Sequence, residues 1–118
     1  MNKLLPFKAW YNDKMYTVYA VKWTKDGTYL LLGDEQSSIT VNEEDCTACH
    51  PTYTQDINGK EIYTGDIVEV TESDDWTLYD VVIFHKGRFN LDYFGESLDH
   101  YKIEIKGNFY ENPELLEQ

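Results

Sequence analysis

Cys46-Thr47-Ala48-Cys49-His50 is the stretch whose residue types and spacing come nearest to a chemical site. C-x-x-C-H is the pattern of covalent haem attachment. Two thiols and an imidazole also make three of the four ligands of tetrahedral zinc, with His85 or His100 as the fourth. Context speaks against haem. Asn42 to Asp45 is an acidic loop and Pro51 follows at once, so neither a helix nor an apolar pocket is in prospect. Strong zinc signals pair two ligand knuckles, and here there is one. The expectation is therefore no metal and no cofactor, with reduced, partly buried thiols at a connector.

Other catalytic constellations find less support. No serine sits in a G-x-S-x-G elbow, the histidines lack a partner spacing, and no glycine-rich loop offers a phosphate cradle. Glu43-Glu44-Asp45 and Asp74-Asp75 could hold divalent cations, but acidic runs in loops are usually solvated faces. The chain is expected not to be an enzyme, a metal-dependent enzyme acting on nucleotides being the alternative. The aromatic residues are harder to assign to structure alone. Trp10, Tyr11, Trp23, Trp76 and Tyr79 exceed what a minimal core demands. Tryptophan and tyrosine dominate binding hot spots and can stack a nucleobase. Trp10 and Trp76, with Glu43, Glu44, Asp74 and Asp75, are the expected partner-binding residues.

Charge narrows the partner. The chain has 22 acidic and 10 basic residues, a net charge of −12. Duplex nucleic acid calls for a basic footprint that this composition lacks. The same acidity steers the protein towards basic surfaces, such as the DNA-binding face of another protein. No apolar run approaches the ~18 residues of a membrane-spanning helix, and the N-terminus does not read as a signal peptide. A cytoplasmic setting is expected, with both cysteines reduced.

At 118 residues there is room for one domain, divisible into two lobes. The elements that must position these side chains read as strands. Phe7 to Trp10, Met15 to Trp23, Thr28 to Leu32 and Ile39 to Val41 are separated by polar turns. Further on, Asn58-Gly59 predicts a two-residue hairpin turn with positive φ at both positions. Ile67 to Val70, Trp76 to Phe84, Arg88 to Tyr93 and Tyr101 to Lys106 follow, with Phe89, Leu91 and Tyr93 on one face. Asn112-Pro113-Glu114 predicts a short C-terminal helix with Asn112 as its cap. Short strands spaced by turns imply a small barrel or sandwich.

Three blocks carry a family resemblance. Phe7-Lys8-Ala9-Trp10 with Lys14-Met15-Tyr16, the run from Asp56 to Val68, and Gly107 to Leu116 are similar, in this order, to the YopX family. The resemblance implies an N-terminal β-hairpin lobe (residues 1–50) joined to an SH3-like barrel lobe (51–118), carried by phages and prophages. It implies no settled activity. One departure stands out: Thr52-Tyr53-Thr54-Gln55-Asp56 lacks the glycine of the usual Tyr-Thr-Gly-Leu-x-Asp, which implies a different conformation there. The functional expectation is a phage accessory protein that binds and neutralises a host component, a defence factor, in the host cytoplasm. Two mechanisms fit: an acidic surface imitating nucleic acid, or capture of a small nucleotide signal in an aromatic pocket, perhaps between the subunits of a homo-oligomer. A structural or replication-linked phage module is the third reading.

Overall fold

The computed structural model describes residues 4–117 apart from 34, 35, 74, 75, 96, 99 and 100. The chain is mainly β, and its contacts divide it into two units, Met1–His50 and Pro51–Gln118.

The first unit is one antiparallel sheet of β1 (Lys8–Tyr11), β2 (Lys14–Thr24), β3 (Gly27–Gly33), β4 (Ser38–Asn42) and β5 (Thr47–Cys49), in the order β4-β3-β2-β1-β5. Asn12 and Asp13, at φ 50° and 64°, make the turn between β1 and β2. Left-handed backbone at both central residues matches the twist of the flanking strands, and short polar side chains tolerate it. Within β2 the register slips between Val18 and Ala20. Alternation puts Tyr16 and Val18 on the core face before this bulge, and Val21 and Trp23 on it afterwards. Ala9, Val18, Leu30, Leu32 and Val41 form the core.

The second unit holds β6 (Pro51–Gln55), β7 (Glu61–Tyr63), β8 (Asp66–Ser73), β9 (Trp76–His85), β10 (Arg88–Leu91) and β11 (Lys102–Asn108). β6 and β7 pair with each other, and the rest form an antiparallel sheet in the order β10-β9-β8-β11. Among the described residues neither sheet closes into a barrel. Val68 and Val70 of β8, Val82 of β9, Leu91 of β10 and Ile103 of β11 pack with Ile62 and Leu98 into a second core. Each such aliphatic side chain contributes roughly 1.5–3 kcal/mol on burial.

Two buried carboxylates shape this unit. Asp56, 7% exposed, accepts from the N–H groups of Asn58 (2.9 Å), Lys60 (2.9 Å) and Ile105 (3.0 Å). The hairpin it governs is not the two-residue turn expected. Gly59 alone of the pair has positive φ, at 80°, and the bonds Gly59 N–H to Asp56 C=O and Asp56 N–H to Lys60 C=O enclose Ile57-Asn58-Gly59. The carboxylate reaches the Asn58 and Lys60 amides only in this longer loop. Asp80, 3% exposed, accepts from the N–H groups of Val81, Tyr93 and Phe94. Those bonds turn the chain after Leu91, so Tyr93 leaves the face it was expected to share with Phe89 and Leu91 and stands exposed.

Tyr53 lies in the left-handed region at φ 60°. Counting back from Asp56, this is the position where the family pattern carries glycine. The chain thus adopts here a conformation that glycine serves best, at some strain to a tyrosine. The C-terminal helix is a single 3-10 turn, Pro113–Leu116, with proline at its start. Asn112 does not cap it, because its side-chain oxygen accepts from the Asn108 N–H at 3.1 Å instead.

Candidate binding surface

The bulge in β2 has a direct consequence for the surface. It carries Trp23 onto the core face but beyond the end of the core, where the indole is 78% exposed. Trp23 borders a cleft of roughly 330 Å³ whose walls include Phe7, Val21, Leu30, Cys46 and His50. The Phe7 and His50 rings stack with centroids 5.3 Å apart and planes at 23°. Glu43 also lines the cleft. It opens a 3-10 turn, Glu43–Asp45, whose first N–H groups need acceptors. Asn42 supplies one, accepting from the Glu44 N–H at 3.0 Å. That cap holds three exposed carboxylates beside an apolar hollow.

The C-x-x-C-H motif is resolved by strand geometry. Cys46, Ala48 and His50 alternate onto the cleft, whereas Cys49, an odd number of residues from Cys46, points to the other face and is buried. Ligands on opposite faces of a strand cannot close round one ion. Among the described residues no cluster of three His, Cys, Asp or Glu has metal-binding geometry; His100 lies outside them. Burial, and then the charges of Asp45 and Glu43, push the Cys46 thiol pKa above its ordinary value. At neutral pH it stays protonated, a weak nucleophile and a poor ligand.

The expected partner-binding residues are not all brought together. Glu43 and Glu44 are exposed on the acidic turn beside the cleft. Trp10 pairs across from Met15 and Thr47, one residue out of step with Ala9 and Ala48, so it lies on the opposite face of the sheet. Trp76, in the second unit, is half-buried and stacks on Phe94 with centroids 6.0 Å apart. Asp74 and Asp75 lie outside the described residues. Trp23 is the residue that sequence reasoning underweighted. Straight alternation through β2 gives no sign of the bulge that sets its face.

Antiparallel sheets in two units, with an acidic and aromatic cleft on the first, define a mainly β protein of the small modular kind. The sequence matches the family described as YopX protein over residues 6–117, and the chain belongs to that family. The resemblance read from the three motif blocks is therefore borne out. The fold is similar to that of YopX from Bacillus subtilis, with a TM-score of 0.69 and 20% identity over 94% of this chain and 97% of that one. It is likewise similar to protein EF1440 from Enterococcus faecalis, with a TM-score of 0.64 and 21% identity over 94% and 96% of the two chains. At such identity the likeness is one of fold. No curated protein matches the sequence. Among the described residues, no helix is long and apolar enough to cross a membrane.

Proposed function

We propose that this chain is a non-catalytic binding protein that engages a basic surface of another protein through the cleft and acidic turn of its first unit. The observation that carries the reading is the composition of the cleft. Among the described residues its lining has no lysine or arginine, and Glu43 brings a carboxylate to an apolar hollow rimmed by Trp23. A phosphate would meet like charge there. A lysine or arginine would meet both a carboxylate and an indole face, the pairing that cation–π attraction favours. The whole-chain charge of −12 adds long-range steering towards the same kind of partner.

Family membership supports a phage or prophage setting; within it the reading is of an accessory protein that neutralises a host component, a defence factor, in the host cytoplasm, its carboxylates standing in for nucleic acid. The second unit, read as SH3-like, suits such a role because small β modules serve widely as binding scaffolds.

The test is kinetic. A partner captured from the host should bind less tightly as salt rises, since exposed charges more than ~8 Å apart are screened at physiological ionic strength. Charge reversal at Glu43 and Glu44 should slow association more than it speeds dissociation. Trp23→Ala should raise the dissociation rate by an amount worth ~2 kcal/mol or more. A salt-insensitive complex untouched by the reversals would refute the reading.

A further inference from the structure

An acidic protein of 10 basic residues places two of them, Lys86 within one turn and Arg88 just after it, in the second unit. Lys86 and Gly87, at φ 51° and 82°, form that turn between β9 and β10. The register sets Arg88 opposite His85 and Asn90 opposite Ile83. By alternation these four share the outer face of the hairpin, because Val82, Phe89 and Leu91 turn to the core. They line a concavity of roughly 350 Å³ together with Lys86 and Asp92.

Asn90 is the unusual member. It is only 6% exposed, and its side-chain Oδ1 is buried with no hydrogen-bond partner among the described residues. Buried amide oxygens are ordinarily satisfied, so an unmatched one on a residue that lines a concavity can take a donor once its amide turns towards that hollow. Two residues along a strand span about 6.7 Å. A single small molecule can therefore set an anion against Arg88 and an N–H against Asn90.

We propose that the outer face of the β9–β10 hairpin binds a nucleoside phosphate. The Arg88 guanidinium and Lys86 ammonium hold the phosphate, the first through its bidentate fork. The Asn90 amide turns towards the hollow so that Oδ1 accepts from a base N–H, Ile83 packs against the base, and the Asp92 carboxylate accepts from ribose hydroxyls. The hollow lies at the small end of ligand sites, roughly 300–1,000 Å³, which suits a mononucleotide and excludes a folded partner. This site is independent of the first-unit cleft and survives if that reading fails.

The experiment is calorimetric titration of the full chain with the four nucleoside 5′-monophosphates, alongside inorganic phosphate and the parent nucleosides. At least one monophosphate should bind saturably, about tenfold or more tighter than phosphate or its own nucleoside, the worth of one charge-assisted hydrogen bond. Arg88→Gln, at an exposed position that folding tolerates, should weaken it by about tenfold or more. Asn90→Leu, of similar shape but without the amide, should weaken it without lowering the melting temperature, since the deleted oxygen has no partner to lose. Trp23→Ala should leave it unchanged. No saturation at millimolar ligand overturns the proposal. So does binding no tighter than that of inorganic phosphate, or binding that both hairpin variants leave intact. A fall in melting temperature with Asn90→Leu would show that the amide is structural, and would remove the base contact from the site.

Discussion

Replacing Asp56 with asparagine tests how much of the second unit hangs on one carboxylate. The side chain joins its own hairpin loop to β11, a strand 49 residues further along the chain. Oδ1 accepts from the Asn58 and Lys60 N–H groups, and Oδ2 accepts from Ile105. An asparagine oriented to keep the first two bonds presents an amide NH₂ to the Ile105 N–H, donor against donor. One charge-assisted bond is lost and one buried donor is orphaned, together worth about 2–4 kcal/mol. Burial by itself would raise the carboxyl pKa. The N–H bonds from Ile105, Lys60 and Asn58, with the Lys60 charge, outweigh burial and hold it below the ordinary value. A depressed folded pKa contributes stability that is present above the unfolded value of about 3.9 and is lost as pH falls through the folded one. Urea unfolding of wild type and Asp56→Asn should therefore differ by about 2–4 kcal/mol at neutral pH and converge below about pH 4. A gap below about 0.5 kcal/mol at pH 7, or one independent of pH, would show that the carboxylate does not organise this unit.

Two further substitutions probe left-handed backbone. Gly59→Val should cost about 1–3 kcal/mol, because φ of 80° resists a β-branched residue although a Cβ there would meet nothing within 4 Å. An unchanged denaturant midpoint would refute the strain. Tyr53→Gly should hold or raise the melting temperature, as relief of about 1–2 kcal/mol of left-handed strain offsets the ~0.5–1 kcal/mol entropy cost of glycine. A loss of more than about 1 kcal/mol would mean that the tyrosine side chain contributes more than the strain it causes.

What the sequence determined by itself is local. Alternation in Tyr101 to Lys106 marks β11, and polar pairs between apolar runs mark the hairpins, because strand period and turn chemistry are set by neighbours in the chain. Three motif blocks sufficed for the family. Turn type was already beyond reach. Asn58-Gly59 looks like the tighter turn, yet a carboxylate bonded to Ile105 opens it to three residues, while Asn12-Asp13 takes the left-handed pair. The candidate surfaces lay further out still. Trp23 reaches its cleft through a one-residue slip in β2, and every side chain beyond the slip changes face. Cys46 and Cys49 look adjacent in sequence and are parted by the pleat. Asn90 reads as an ordinary strand residue until the fold buries its oxygen without a partner. Faces and unmatched groups depend on which strands pair and in what register, and pairing is decided by packing between segments far apart in the chain.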